Sequence, residues 1–184
     1  MAKAQYTGVN GVARKVNKEY VGVSGVARKV TNGYTGVSGV ARKFFKSGYE
    51  IIIVQDATLS SSMVTPDGNS LTISATGKSG NSGTAKLDVV VNGEFDGYTA
   101  TFDCDQTGYN TSNGTIGFEC LDANGSYQGR RLLLSSDGAK SYTIPTGTIR
   151  LRFAVWVSGA HTTSVTITNF KLNGKNFNLE TGEY

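Results

Sequence analysis

A fourteen-residue unit occurs three times before residue 45 and constrains what that part of the chain can fold into. The copies read YTGVNGVARKV from Tyr6, YVGVSGVARKV from Tyr20 and YTGVSGVARKF from Tyr34, which is strong internal symmetry. Asn-Gly in the first copy and Ser-Gly in the others are two-residue turn signals between short strand-like runs. Each copy therefore predicts a β-hairpin, and residues 1–48 predict three stacked hairpins or a six-stranded meander.

Isolated hairpins are marginally stable in water, and the repeats offer mainly Val, Ala and one Tyr per copy as apolar residues. We therefore expect residues 1–48 to dock onto a partner or to self-associate. A spacer and a nucleic-acid-binding arm are the alternatives. Neighbours on a strand point to opposite faces, so only one residue of each Arg-Lys pair can line a given face, which disfavours nucleic acid. The candidate docking residues are Tyr6, Arg14, Lys15, Tyr20, Arg28, Lys29, Tyr34, Arg42 and Lys43.

Charge also divides the chain at this point. Residues 1–48 hold nine Lys or Arg and one acid, so residues 49–184 carry nine basic and thirteen acidic groups of the totals of 18 and 14. Such asymmetry indicates two parts with different roles. The N-terminus lacks a secretory signal pattern, and no stretch approaches 18 apolar residues, so we expect no membrane segment.

Residues 49–184 alternate between apolar and polar residues over longer runs and show no helical stripe. The pattern predicts strands near 49–58, 70–76, 84–92, 97–104, 114–121, 127–135, 140–144, 147–157 and 163–172. Many short strands separated by Gly, Asn and Asp turns are typical of a β-sandwich. The predicted class is all-β, with N-terminal hairpin repeats and a C-terminal jelly-roll sandwich.

Two resemblances add to this interpretation. The tandem Tyr-x-Gly-Val-Asn/Ser-Gly-Val-Ala-Arg-Lys units resemble short repeats of tail and other virion proteins from bacteriophages of Gram-positive hosts. The pair of runs Thr148–Val157 (TIRLRFAVWV) and Ser164–Leu172 (SVTITNFKL) resembles the closing strands of carbohydrate-binding-module jelly rolls, and NSLTISA at 69–75 fits the opening. The first resemblance implies assembly in a host cytoplasm into a virion. The second implies a fold more than a ligand.

The run at 149–157 supplies the candidate binding site. Period-two alternation places Ile149, Leu151, Phe153, Val155 and Val157 on one face, which we interpret as core. Arg150, Arg152 and Trp156 then share the other face, although Trp normally buries much of its large surface. An outward Trp beside Arg suits a sugar ring. Tyr98, Tyr109 and Tyr127 are further candidates for this glycan platform, and the alternative is that a loop, a subunit or the repeats cover Trp156.

Other reactive residue types receive structural interpretations. Cys104 and Cys120 fall on core faces of strands that could be adjacent, so we expect buried reduced thiols. Asp103, Asp105, Asp122 and Asn124 lie near loop ends, where turn capping competes with Ca²⁺ binding. We predict no metal site and no cofactor, because no Cys-x-x-Cys or EF-hand pattern occurs. His161, the only histidine, has no nucleophile elbow near it, so we predict that the protein is not an enzyme.

Together these features predict a non-enzymatic virion protein whose repeats dock and whose jelly roll binds host-surface glycan. The alternative is a purely architectural joint or decoration protein, and a glycan-degrading enzyme is third. The expected partners are other virion proteins, further copies of the chain with a trimer as one option, and a host cell-surface polysaccharide.

Overall fold

The computed structural model describes residues 6–9, 12–15, 19–23, 26–30, 32–37, 40–46, 49–91, 95, 97–129 and 131–183, with side chains from residue 49 onward. Regular secondary structure in these residues is entirely β-strand, which confirms the predicted all-β class. The chain divides into two compact units, Met1–Gly48 and Tyr49–Tyr184. The described residues form no helix that is long and apolar enough to cross a membrane.

The first unit holds three antiparallel hairpins, each a separate two-stranded sheet. Their strands are β1 Tyr6–Val9 and β2 Val12–Lys15, β3 Glu19–Val23 and β4 Val26–Val30, and β5 Asn32–Val37 and β6 Val40–Lys46. The register is the same in all three, since each Tyr pairs with the Lys of its own copy. The predicted turns at 10–11, 24–25 and 38–39 lie outside the described residues, as do the side chains of the docking candidates.

The second unit is a sandwich of two antiparallel sheets, as predicted for a jelly roll. One sheet has the strand order β13-β12-β15-β10-β7, and the other has the order β14-β11-β16-β9-β8, with β17 paired to β16. The strands are β7 Tyr49–Gln55, β8 Ser61–Asp67, β9 Ser70–Thr76, β10 Ser82–Val91, β11 Thr99–Thr107, β12 Gly114–Leu121, β13 Leu132–Leu133, β14 Gly138–Thr143, β15 Arg150–Ser158, β16 Thr162–Leu172 and β17 Lys175–Asn176.

Alternating residues of both sheets meet in a single apolar core. On β15, Leu151, Phe153, Val155 and Val157 are buried, as the period-two pattern predicts. The ring of Phe102, in the six-stranded sheet, lies 5.3 Å from that of Phe153 in the five-stranded sheet, measured between centroids. Fully burying a side chain of this size contributes about 1.5–3 kcal/mol. The core therefore fixes which residues of each strand remain on the outer faces.

Apart from the two-residue β17, which was not predicted, two strand predictions differ from the structure. The sequence pattern predicts no strand between residues 58 and 70, but β8 forms there as an edge strand, where the missing backbone N–H of Pro66 is tolerated. Of the strand predicted at 127–135, only Leu132–Leu133 forms. Gly129 has φ of +73° and a Cβ there would lie 2.9 Å from Pro145 Cγ, so the chain turns where an extended strand was expected.

Cys104 and Cys120 are both free and buried, as predicted. Their strands are not adjacent, because β11 pairs with β14 and β16 whereas β12 pairs with β13 and β15. The two thiols belong to opposite sheets and face the shared core. Burial raises the pKa of Cys104 to about 11 and that of Cys120 to about 12, so both are protonated at neutral pH.

Candidate functional site

The outer face of the five-stranded sheet is organised around the central strand β15. Strand register places three rows of side chains across β10, β15 and β12. The rows are Thr84, Trp156 and Thr115; Lys86, Ala154 and Gly117; and Asp88, Arg152 and Glu119. The face thus has three parallel rows: Trp156 between two threonines, Lys86 beside the small residues Ala154 and Gly117, and the charged row.

A pocket of about 160 Å³ opens between these rows. It is lined by Thr84, Lys86, Glu119, Tyr127, Arg131, Arg152, Ala154 and Trp156. An engineered cavity of roughly 150 Å³ holds one benzene ring, whereas drug-sized ligands need about 300 Å³ or more. The pocket therefore has room for one six-membered ring, beside an indole that is half-buried.

Gly117 is required for the shape of this pocket. A Cβ at this position would collide with Nε of Arg131. Arg131 lies just before β13, and its guanidinium lies directly over the backbone of β12 because Gly117 has no side chain. The absent methyl group thus positions a cation at one side of the pocket.

Asp88 is the buried carboxylate at the β10 end of the charged row. It is only 2% exposed, and it accepts hydrogen bonds from Nε of Arg152 at 2.7 Å and from Nη2 of Arg152 at 3.0 Å. Nη1 of Arg150 lies 3.4 Å from the same carboxylate. These hydrogen bonds raise the pKa of Arg152. The bidentate geometry holds the Arg152 side chain in one orientation.

Glu119 is the second buried carboxylate, at 3% exposed. Its Oε1 lies 2.9 Å from Nε of Arg131 and accepts a hydrogen bond of 3.4 Å from the Tyr127 hydroxyl. Its Oε2 lies 3.8 Å from Nη1 of Arg152. Tyr127 is itself 57% exposed. Its ring therefore lies at the rim of the pocket, with its hydroxyl group bound to Glu119.

The structure brings some sequence candidates together and separates others. Trp156, Arg152 and Tyr127 line one pocket, and Arg150 lies beside it on Asp88. Tyr98 and Tyr109 do not line it, because both pack against the sandwich core. Aromatic residue type alone does not reveal burial, which explains this difference.

Sequence reasoning missed four residues that line the pocket, Thr84, Lys86, Glu119 and Arg131, and the neighbouring Asp88. A signal was present for one of them. Glu119 is a charged residue between the core residues Phe118 and Cys120, and a carboxylate on such a strand needs a partner. The position of Arg131 depends on the backbone path, and the sequence pattern gives no indication of it.

The remaining polar candidates serve the fold. Oδ1 of Asp122 accepts hydrogen bonds from the N–H groups of Asn124 at 2.8 Å and Ser126 at 2.9 Å, which is turn capping. Nε2 of His161 lies 2.6 Å from the carbonyl oxygen of Gly108. Asp103 accepts a hydrogen bond from Asn169, while Asp105 is exposed. Within the described residues, no three His, Cys, Asp or Glu side chains are grouped as metal ligands.

No protein-family model matches the chain, and no curated protein matches it in sequence. Solved structures similar to it include the enzymatically active domain of tailspike protein 4 from Bacteriophage CBA120, at 12% identity and a TM-score of 0.38 over 68% of this chain. The match spans 19% of that tailspike domain.

Two further structures are similar over most of the chain. The xyloglucanase domain of NopAA from Sinorhizobium fredii, in complex with cellobiose, has 7% identity and a TM-score of 0.49, over 79% of this chain and 99% of that one. A family 29 carbohydrate-binding module in complex with mannohexaose has 14% identity and a TM-score of 0.41, over 86% and 94%. At these identities and scores, function must be inferred from the residues of this chain.

Proposed function

We propose that this protein is a non-enzymatic glycan-binding component of a bacteriophage particle, with Trp156 as the plate on which a sugar ring stacks. The observation that carries the proposal is the ring-sized pocket in which Trp156 lies beside Arg152, Lys86 and Tyr127. A sugar has an apolar ring face and a polar rim. The pocket offers an aromatic surface for the first and charged and hydroxyl groups for the second.

Binding without hydrolysis is favoured by the carboxylates. Glycoside hydrolysis ordinarily needs two carboxyl groups that flank the scissile bond. Of the eight described residues that line the pocket, Glu119 alone is acidic, and it is engaged by Arg131 and Tyr127. Asp88 is buried against Arg152 and Arg150. Both acids therefore orient cations, which is a positioning role.

The virion assignment comes from the repeats. Three hairpins of one register and a charge excess in residues 1–48 suit attachment to other virion proteins or to further copies of the chain. Each hairpin is a two-stranded sheet and gains stability from such contacts. We propose that the repeats attach the chain to the particle and that the sandwich binds host-surface polysaccharide.

A glycan array probed with the full chain tests the binding function. We expect Trp156→Ala to weaken binding at least about tenfold, a change of about 1.4 kcal/mol. Met63→Ala is the matched control, because Met63 is 46% exposed and lies in the other sheet. Equal binding by the wild type and Trp156→Ala would overturn the proposed site.

Light scattering tests the role of the repeats. We expect the full chain to form a defined oligomer and residues 49–184, a compact unit in the structure, to remain monomeric. Two monomers would contradict self-association and would leave attachment to a different virion protein, which a pull-down with purified virion proteins would detect. If Trp156 became protected from quenching in the oligomer, the architectural alternative would replace glycan binding.

A further inference from the structure

The pocket on the outer face of the five-stranded sheet is lined by more cationic than acidic side chains. Three cations, Lys86, Arg131 and Arg152, line it together with one carboxylate, that of Glu119. The pocket lining therefore holds an excess of two positive charges. A neutral sugar needs hydrogen-bond donors and acceptors, but it gives no compensation for cations that are partly removed from water.

The arginines are engaged by the two buried acids. Arg152 donates twice to Asp88 and approaches Glu119, while Arg150 lies on Asp88. Arg131 pairs with Glu119 through Nε, and its Nη2 makes a long hydrogen bond of 3.5 Å to Thr115. A guanidinium has five N–H donors in a planar fork. Arg131 thus has more donors than these two contacts use.

Lys86 is the cation without a counter-ion in the pocket. Within the part of the chain that the structure describes, no carboxylate lies within ion-pair distance of its ammonium group. Asp56 is a carboxylate that interacts with it at longer range: the pKa of Asp56 is lowered first by hydrogen bonds from Thr58 and also by the charge of Lys86. Lys86 is half-buried in the row of Ala154 and Gly117.

We propose that the glycan taken by this pocket is acidic, and that its carboxylate or phosphate is bound by Lys86 together with Arg131. This inference rests on the proposed glycan-binding function. The sugar ring stacks on Trp156, and its anionic substituent binds Lys86 and Arg131. Charge-assisted hydrogen bonds to an anion are about twice as strong as neutral ones, so the acidic group determines which glycans bind.

The test uses the full chain and glycan pairs that share a backbone and differ in charge. Oligogalacturonate and its methyl ester form the carboxylate pair, and a phosphorylated oligomannose and its phosphatase-treated form provide the phosphate pair. We place both pairs on the glycan array, and then titrate the better acidic member and its neutral partner by calorimetry. We expect the acidic member to bind at least about tenfold tighter at low salt, with the advantage shrinking at high salt.

Three variants separate the outcomes. Lys86→Gln should remove most of the preference for the acidic member, whereas Trp156→Ala should weaken both members of a pair. Lys171→Gln is the matched control, because Lys171 is a half-buried strand lysine in the other sheet. It should leave the preference unchanged.

Equal binding of charged and neutral members, or an unchanged preference in Lys86→Gln, would overturn the inference and leave glycan binding intact. Absence of binding to every glycan on the array would overturn the proposed function itself, and the inference with it. The pair with the larger difference in affinity between its acidic and neutral members identifies whether the pocket prefers a carboxylate or a phosphate.

Discussion

Inward and outward side chains alternate along the strands of both sheets, but the outward side chains of the two sheets differ in chemistry. The face of the five-stranded sheet presents Trp156, Tyr127 and a network of Arg, Lys and buried acids. The face of the six-stranded sheet presents hydroxyl groups. Its outward residues include Ser70, Thr72, Ser74 and Thr76 of β9, Ser164, Thr166 and Thr168 of β16, Thr99 and Thr101 of β11, and Ser141 and Thr143 of β14.

The difference shows which face the fold alone explains. Threonine favours strands and its hydroxyl stays solvated or bonds across strands, as Thr76 and Thr162 do at 3.0 Å. Such a face costs little to form. Burying Asp88 and Glu119 removes two charges from water, which is costly even when they are paired. A sandwich does not need that arrangement for stability, so the charged face is where we expect a binding function.

The largest difference between the faces should appear when a carboxylate is removed. Asp88→Ala leaves Arg152 and Arg150 without their main partner, and breaking a buried ion pair costs about 3 kcal/mol. Asp103→Ala, on the hydroxyl face, removes one hydrogen bond from Asn169 at 2.8 Å. We expect that loss to be about 0.5 kcal/mol. Urea denaturation of both variants measures the two free energies of unfolding.

Similar losses for Asp88→Ala and Asp103→Ala would mean that the charged row is not a buried network. Asp88→Asn is a useful third variant, because it keeps the shape and removes only the charge. Its loss should lie between the other two.

The second prediction concerns the core between the two sheets, where each sheet contributes one buried cysteine. Cys104 and Cys120 belong to different sheets, yet burial raises the pKa of both, to about 11 and about 12 from an ordinary 9.0. The unfolded chain therefore releases these protons first as pH rises. The contribution of the two thiols to the free energy of unfolding should be constant below about pH 9 and fall between pH 9 and pH 12.

The measurement is urea denaturation from pH 8 upward, with Cys104→Ala and Cys120→Ala as matched variants. Each should flatten part of the decline, and a thiol reagent at pH 8 should label neither cysteine of the native wild type. Rapid labelling of one thiol would show that its sheet is open to solvent.

The sequence predicts which side chains of a strand point outward better than it predicts which side chains meet across neighbouring strands. Alternation along β15 correctly places Trp156, Arg152 and Arg150 outside and Phe153 inside, because a strand has a period of two whatever its neighbours are. The sequence pattern does not predict the register between strands. Arg152 and Asp88 lie 64 residues apart in the chain, and only the pairing of β10 with β15 brings them together.

Two further errors concern the choice of site residues. Tyr98 and Tyr109 were candidates because they are aromatic, but they pack on the core, where aromatic rings also belong. Arg131 was not a candidate, because its position depends on the missing side chain of Gly117 in another strand. Residue type and period thus predict which side chains point outward, whereas the assembly of the pocket depends on contacts distant in sequence.

The third prediction tests that dependence on Gly117. Gly117→Ala places a methyl group against Nε of Arg131 and should displace the guanidinium from Glu119. The expected result is a several-fold loss of glycan affinity and a loss of stability of about 1–3 kcal/mol, since the buried Glu119 carboxylate loses its nearest cation. Arg131→Ala should give a similar loss. The double variant should be no weaker than either single variant, because both changes remove one interaction.

The smallest effect is expected on the hydroxyl face. Thr162→Val removes the hydrogen bond between the hydroxyls of Thr162 and Thr76 and keeps a β-branched side chain. Because this pair is exposed, water replaces the lost partner and the free energy of unfolding should change by less than about 0.5 kcal/mol. Thr166→Val, whose partner Thr72 is more distant at 3.5 Å, should change it less. Urea denaturation measures both changes, and the glycan array should show unaltered binding. A large loss of binding in either variant would place the glycan on the hydroxyl face and reverse the comparison, because an array of hydroxyls would then be recognising the sugar without an aromatic plate.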